Sequence, residues 1–200
     1  MVESVAVAFN YEPGQTPLDP DEAAQLVPAH ITTQAALNEW EATNILGAVQ
    51  WLARARIPDV LTEGFCRDLH RRMLGDTWKW AGTFRTSDKN IGCDWRQVPI
   101  RLHQLLENAA HWLKEDAFAV DEAAVRFHHQ LVLVHPFPNG NGRHARLMTD
   151  QLLSQVGAAR FSWGERGDMV AAGVVRARYL AALRTADAGD IAPLLAFARN

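Results

Sequence analysis

Residues 135–146 read His-Pro-Phe-Pro-Asn-Gly-Asn-Gly-Arg-His-Ala-Arg and separate two segments with helical periodicity. Gly140 and Gly142 permit backbone conformations that other residues avoid, so that successive N–H groups can converge on one point. The second helix begins there, and its unpaired N–H groups and positive dipole end add to this concavity. The stretch therefore predicts an anion-binding turn at the junction of two helices.

Five side chains of the same stretch fit chemistry on a phosphate. Arg143 and Arg146 are three residues apart, so both guanidinium groups can flank a polyphosphate. His135 precedes a proline, which predicts that the helix ends there with its imidazole at the mouth of the loop, where it can act as a base. Asn139 and Asn141 offer amide groups, one to a metal carried by the nucleotide and one to a phosphate oxygen. A glycine-rich helix start that binds nothing is the alternative, and the combination within twelve residues favours the site.

Most of the remaining chain has the apolar spacing of amphipathic helices. Asp19 before Pro20 and Thr62 before its run are predicted helix caps. The predicted helices are Pro20 to Leu26; from Thr32 or Thr33 to Pro58; Thr62 to Gly75; a helix from Ile100; one capped by Asp121; one running from residue 147 to Gly157; Met169 to Thr185; and a short one capped by Asp190.

One segment breaks this pattern. Residues 78–99 mix Gly82, Gly92, Asn90 and Asp94 with isolated aromatic residues, which predicts a loop with a small β-hairpin. A strand stub at residues 161–163 is the only other strand candidate. The fold class expected from the sequence is a mainly α-helical bundle with one irregular excursion.

The composition limits the function classes. The chain has 200 residues, 48% of them hydrophobic, and a formal net charge of −3. A chain of this size and composition can bury one hydrophobic core without metal ions or disulfides. It also lacks the excess of positive charge that binds the nucleic-acid backbone non-specifically. The two cysteines, Cys66 and Cys93, form no C-x-x-C pair, the opening residues do not resemble a signal peptide, and no apolar run is long enough to span a bilayer. We expect a cytoplasmic protein with no direct contact to nucleic acid or membrane.

The stretch HPFPNGNGRHAR resembles the Fic family signature H-x-F-x-(D/E/N)-G-N-G-R-x-x-R. The resemblance implies a Fic-type helical bundle with a small β-hairpin flap, and an enzyme that transfers AMP from ATP to a protein hydroxyl. The roles it implies are deprotonation of the incoming hydroxyl by His135, a cradle for the α- and β-phosphates lined by Gly140, Asn141 and Gly142, phosphate contact by Arg143, γ-phosphate contact by Arg146, and a core anchor at Phe137.

Two positions of the signature bear on the activity. Many Fic proteins have a carboxylate that helps to hold Mg²⁺ where Asn139 stands, so the resemblance implies Asn139 as a weaker metal contact for Mg²⁺ with ATP. Glycine at residue 142 is similar to the Fic members that transfer nucleotides, whereas the members that phosphorylate tend to have lysine at this position. The resemblance therefore favours nucleotidyl transfer, with either the affinity for ATP–Mg²⁺ or the turnover reduced.

The residues from His70 to Gly92 resemble the Fic segment that leads into the flap above the active site. The flap would span Thr86 to Val98, with Asn90, Ile91 and Gly92 at its centre, and its edge would pair with an extended target segment. The alternative is an ordinary exposed hairpin with Trp95 on the core.

Residues 16–45 and 179–199 resemble the bacterial Fic subgroup called mobile mystery protein B. This subgroup implies a small helix-turn-helix partner of the mobile mystery protein A type. The predicted organisation is an N-terminal arm with a short helix at 1–30 and a single Fic domain at 31–200.

A self-inhibiting contact is also expected from the resemblance. Many Fic proteins carry an inhibitory helix whose (S/T)-x-x-x-E-(G/N) glutamate pairs with the second arginine of the signature. The predicted helix at 33–56 holds Glu41, which we expect to pair with Arg146, although Leu37 and Ala42 depart from the pattern. Glu39 and a plain solvated carboxylate are the alternatives.

Three functions remain open at this point. The first is a protein adenylyltransferase that modifies Ser, Thr or Tyr of a target protein or of itself, with self-inhibition by the N-terminal helix. The second is a catalytically weak, nucleotide-binding regulatory protein, which the neutral Asn139 favours. The third is a Fic enzyme that uses another nucleotide donor, because a phosphate cradle does not recognise the base.

Overall fold

The computed structural model describes residues 15–56, 59–164 and 173–200. Helices dominate these ranges, and the helix that follows the 135–140 turn is central to the site. The α-helices are α1 (Pro20–Ala23), α2 (Gln34–Leu52), α3 (Glu63–Leu74), α4 (Val98–Lys114), α5 (Val120–Val134), α6 (Asn141–Gln155), α7 (Val174–Asp187) and α8 (Ala192–Arg199), with a 3₁₀ turn at Trp95–Gln97 before α4.

Side-chain caps fix the starts of the first three helices. Asp19 caps α1 with Pro20 at its first turn, and the Glu22 side chain completes a capping box. Thr33 accepts a hydrogen bond from the Ala36 N–H, at 3.2 Å, and Thr62 accepts one from the Phe65 N–H, at 3.1 Å. The predicted caps at Asp19, Thr33 and Thr62 are confirmed.

Two apolar clusters lie behind the site. The larger one joins α2 to α6, and its fully buried members include Leu69, Phe127 and Phe137. The smaller one joins α7 and α8 to the outer face of α5 and α6. Phe137 of the turn between α5 and α6 belongs to the larger cluster, so the turn is anchored to this core.

Several predicted boundaries differ from the structure. Helix α1 ends at Ala23 rather than Leu26, and α2 ends at Leu52 rather than near Pro58. Asp121 lies in the first turn of α5 and does not cap it. Residues 1–14 of the predicted arm and residues 169–172 of the predicted seventh helix lie outside the described residues.

The predicted β-hairpin flap is wrong. Residues 86–98 contain no strand, and the 3₁₀ turn lies within them. Side chains take the hydrogen bonds that a hairpin ladder would make: Asp88 Oδ1 accepts from the Trp95 N–H at 2.9 Å, and Asp94 Oδ1 from the Arg96 N–H at 2.9 Å. The strand stub at residues 161–163 is absent too. We call residues 86–94 the flap loop.

Within the described ranges, no helix combines the length and apolar character needed to cross a bilayer.

Candidate active site

The turn between α5 and α6 has a left-handed residue at each end. Helix α5 ends at Val134 as predicted, and His135 follows with φ +51°. Gly140 begins α6 with φ +79°, and a Cβ atom there would lie 2.7 Å from Leu74 Cδ1. The left-handed φ favours glycine at residue 140, and a Cβ atom there would crowd the buried Leu74 side chain.

Arg85 holds the His135 end of the turn. Its side chain is buried and donates from Nε to the His135 carbonyl at 2.6 Å. It also donates to the carbonyls of Ser87 and Cys93, and its own N–H donates to the Pro136 carbonyl. One guanidinium group thus ties the flap loop to the turn between α5 and α6 and satisfies carbonyls that no helix pairs.

Asn141 shapes the turn rather than offering its amide to a ligand. Its Oδ1 accepts from the Phe137 N–H at 2.9 Å, and its Nδ2 donates to the Phe137 carbonyl at 2.8 Å. The side chain is 3% exposed. The predicted place of Asn141 in a phosphate cradle is therefore restricted to its main chain, at the first turn of α6.

His70 fixes the opposite side of the turn. The Gly82 N–H donates to its Nδ1 at 2.9 Å, so Nε2 carries the proton and donates to the Asn139 carbonyl at 3.0 Å. The ring stacks on Phe137 with centroids 3.7 Å apart. Burial holds the pKa of His70 well below its usual range, so this bridge stays neutral. Phe137 is fully buried, consistent with the predicted anchor.

His135 is the predicted base, and it is almost completely enclosed. Its residue is 5% exposed, and Nε2 lies 3.0 Å from Thr16 Oγ1. Burial and the positive charge of Arg85 lower the pKa of the imidazole to about 4. The ring is therefore neutral at pH 7 and has a hydroxyl group within hydrogen-bond distance.

Glu41 is drawn into the site, but its partner differs from the prediction. Its Oε2 lies 2.6 Å from Arg143 Nη1, not against Arg146, and its Oε1 accepts from Trp78 Nε1 at 2.7 Å. The Glu41 and Arg143 side chains are only 9% and 20% exposed. Glu41 of α2 therefore forms an ion pair with Arg143, the first arginine of the signature.

Arg146 faces α7 instead. Its Cζ lies 5.6 Å from the ring centroid of Tyr179, within the range of a cation–π contact. The Tyr179 hydroxyl in turn hydrogen-bonds His128 Nε2 at 2.8 Å. The Arg146 guanidinium thus lies against α7, whereas the Arg143 guanidinium pairs with Glu41 of α2.

The flap loop covers His135, with its three predicted residues in different places. Gly92 has φ +115°, and a Cβ atom there would lie 2.7 Å from His135 Cβ. Ile91 lines the cavity of the site. Asn90 Nδ2 donates to the Gln15 carbonyl at 3.0 Å, so it grips the N-terminal segment rather than the turn.

A cavity of about 160 Å³ brings most of the predicted residues together. Sequence reasoning missed Thr16, His70, Arg85 and Tyr179. His70 lies within the quoted Fic-like segment, which is a signal that could have identified it. Thr16, Arg85 and Tyr179 make their contacts with residues that are 50 to 119 positions away in the sequence, so no local pattern identifies them. The predicted residues lining the cavity are Glu41, Ile91, His135, Asn139, Gly140, Asn141, Gly142, Arg143 and Arg146.

The residues around Asn139 do not by themselves make a magnesium site. Mg²⁺ prefers carboxylate oxygens and keeps several waters. Asn139 offers one neutral oxygen, which already accepts from the Gly140 N–H at 2.6 Å, and its Nδ2 donates to the Thr16 carbonyl at 2.8 Å. The described residues include no group of three or more His, Cys, Asp or Glu side chains placed to hold a metal.

Comparison with known proteins gives the same region. The profile of the Fic/DOC family matches residues 60–153. Protein adenylyltransferase fic-1 of Caenorhabditis briggsae is 32% identical over 134 residues, which are 65% of this chain and 25% of that protein. Protein adenylyltransferase Fic of Drosophila virilis is 32% identical over 135 residues, covering 65% and 26%. The chain thus spans about a quarter of the length of these curated relatives.

Solved structures share the fold. A Fic-1 fragment from Caenorhabditis elegans superposes with a TM-score of 0.59 and 26% identity, over 80% of this chain and 46% of that one. The N-terminal Fic domain of a Bartonella effector protein gives a TM-score of 0.66 at 18% identity, over 84% and 83%. The chain therefore has the mainly helical Fic fold, its residues 60–153 match the Fic/DOC family, and protein adenylyltransferases are among the proteins that it resembles.

Proposed function

We propose that this chain is a protein adenylyltransferase that moves AMP from ATP to a Ser, Thr or Tyr hydroxyl of a protein. One observation carries the proposal: a neutral, buried imidazole lies 3.0 Å from a hydroxyl oxygen, in a cavity also lined by Arg143 and Arg146. The names of the relatives support the same reaction.

The chemistry follows from the placement of His135. Its Nε2 accepts the proton of the acceptor hydroxyl, whose oxygen attacks the α-phosphorus while pyrophosphate leaves. The phosphates of bound ATP would raise the pKa of the imidazole from about 4 toward the working pH, because negative charge favours the imidazolium ion. The base would thus strengthen only when the nucleotide is present.

The first turn of α6 supplies the electrostatic part. Its N–H groups have no acceptor within the helix, and the positive end of the dipole lies at Gly140. Arg143 lies one turn along and would reach a phosphate oxygen once it is free of Glu41. The N–H groups of this turn are fixed before the reaction, so they can stabilise the charge that develops on the phosphates.

The resting site is inhibited in this proposal. A phosphate can reach the Arg143 guanidinium only after the Glu41 carboxylate, 2.6 Å away, has been displaced. The Trp78 N–H holds the other carboxylate oxygen and so keeps Glu41 in this position. Glu41 acts as a competitor of the nucleotide rather than of the protein target.

Mg²⁺ belongs to the proposal only as the ion that accompanies ATP and offsets its charge. Asn139 supplies a single side-chain oxygen, which already accepts a hydrogen bond from the Gly140 N–H, so this chain would contribute little to holding the ion.

A nucleotide-binding regulator is the second candidate. It is favoured by the neutral Asn139 together with the buried Glu41–Arg143 pair, because both lower turnover without removing the phosphate site. A different nucleotide donor is the third, and competition of labelled ATP transfer by other nucleotides distinguishes it.

The deciding experiment is mass spectrometry of the purified chain and a candidate target after incubation with ATP and Mg²⁺. Addition of AMP that is lost in His135→Ala supports the adenylyltransferase. Saturable ATP binding without AMP transfer, in both the natural chain and Glu41→Gln, supports the regulator instead.

We also propose that the chain is a cytoplasmic member of the mobile mystery protein B subgroup with a small helix-turn-helix partner. This rests on the resemblance of residues 16–45 and 179–199. Co-purification of a neighbouring small protein with the tagged chain would test it.

A further inference from the structure

The N-terminal segment Gln15–Asp19, which we call the strap, crosses the active site. Asn90 of the flap loop donates to the Gln15 carbonyl at 3.0 Å, and Asn139, in the turn between α5 and α6, donates to the Thr16 carbonyl at 2.8 Å. Both contacts use main-chain carbonyls of the strap. The strap therefore lies where an extended target segment would have to lie to reach His135.

One side chain of the strap enters the reaction centre. Thr16 is 7% exposed, and its Oγ1 is 3.0 Å from His135 Nε2. This is the distance that a base requires from the hydroxyl it deprotonates. Proline follows at residue 17, so Thr16 is biased to the extended conformation of a bound peptide.

An ionic clamp anchors the strap just after Thr16. Lys89 of the flap loop is 2% exposed at its side chain and lies 2.7 Å from Asp19 Oδ2 and 2.6 Å from Glu22 Oε2. Ser87 also donates to Asp19, and the Lys89 and Ser87 hydrogen bonds lower the pKa of that carboxyl. A buried lysine with two carboxylates is expensive to separate, which keeps the hydroxyl in register with His135.

We infer that Thr16 is an intramolecular acceptor, which the same active site modifies with AMP. The inference rests on the adenylyltransferase function proposed above. The Thr16 Oγ1–P bond forms as the bond from the α-phosphorus to the pyrophosphate oxygen breaks. The hydroxyl proton passes to His135 Nε2, pyrophosphate leaves, and Thr16 carries AMP as a phosphodiester.

The arrangement has a consequence for other targets. While Thr16 occupies His135 Nε2, a second hydroxyl cannot approach the same nitrogen. The strap must therefore leave before an external protein is modified, and AMP on Thr16 would prevent its return because the turn fits an unmodified threonine. Self-modification would act once per chain and would open the acceptor side of the site.

Peptide mapping by mass spectrometry tests the inference on the full chain incubated with ATP and Mg²⁺. The chain carries Glu41→Gln, which frees Arg143 to bind the phosphates of ATP. The expected result is AMP on Thr16, retained in Thr16→Ser, and lost in Thr16→Val and in His135→Ala. Thr33 is the control because it is exposed and caps α2. Thr33→Ser should leave the labelling of Thr16 unchanged.

A mixing experiment separates reaction within one chain from reaction between chains. Thr16→Val supplies an intact base, and His135→Ala supplies an intact Thr16. In an equimolar mixture with ATP, the His135→Ala chain should remain unlabelled at Thr16. Labelling of that chain would show that another molecule modifies Thr16, and it would overturn the inferred intramolecular reaction.

The two proposals fail in different ways. AMP on another residue or another protein, lost in His135→Ala but with Thr16 unmodified, overturns the inference and leaves the adenylyltransferase standing. Absence of AMP from every protein, with ATP bound, overturns both.

Discussion

Replacing Glu41 by glutamine should expose Arg143 to the nucleotide. The change keeps the shape of the side chain and an oxygen for the Trp78 N–H, while it removes the charge 2.6 Å from Arg143 Nη1. A hydrogen bond between charged groups contributes about 1.5–3 kcal/mol, and this pair is largely buried. Since 1.4 kcal/mol is a factor of ten, ATP should bind about 10- to 100-fold more tightly.

Isothermal titration with ATP measures this change directly, and the rate of AMP transfer should rise with it. Glu39→Gln is the matched control, because it removes an exposed carboxylate two residues away on the same helix. Glu41→Gly removes the group altogether and should act in the same direction. If Glu41→Gln unfolds at the same temperature as the natural chain and its Kd for ATP matches that of Glu39→Gln, the competition between Glu41 and phosphate is refuted.

Three further changes test other parts of the site. The C–H proton shifts of His135, assigned by their loss in His135→Ala, should stay constant from about pH 8 to about pH 5 and move only near its pKa of about 4. The imidazole of His135 binds a proton more readily in the unfolded chain, so its contribution should lower the free energy of unfolding as the pH falls from about 6.5 toward about 4. If the free energy of unfolding of the natural chain and of His135→Ala changed equally with pH, the burial of His135 would be contradicted. Arg85→Met should lower the free energy of unfolding by about 3 kcal/mol or more, measured in urea, since several buried carbonyls lose their donor. Asn139→Asp should increase the Mg²⁺ dependence of ATP binding, seen by titration with and without the ion, whereas Asn139→Ala should not.

The sequence was informative where chemistry and local periodicity coincide. The turn at 135–140 and the helices on both sides follow from Gly140, from the proline after His135 and from regular apolar spacing. The caps at Thr33 and Thr62 were equally local. Such features depend on residues a few positions apart, which a single sequence displays.

The errors concern contacts that depend on the tertiary fold. Arg143 and Arg146 lie on neighbouring positions of one helix, and the contacts of Arg146 with Tyr179 on α7 and of Glu41 with Trp78 are visible only in the fold. The hairpin failed for a similar reason: the guanidinium of Arg85 and nearby aspartates satisfy the main chain of the flap loop. No strand pairing is then required.

The contact between Arg146 and Tyr179 has a practical consequence for anyone trimming the protein. The region matched by the family profile stops at residue 153, yet the tyrosine that cradles this guanidinium sits on α7, beyond it. A fragment cut at that limit would keep the whole signature and lose the wall that orients its last member. In the proposed function, the part of the chain that binds ATP therefore includes α7, and substitutions that displace Tyr179 should weaken ATP binding.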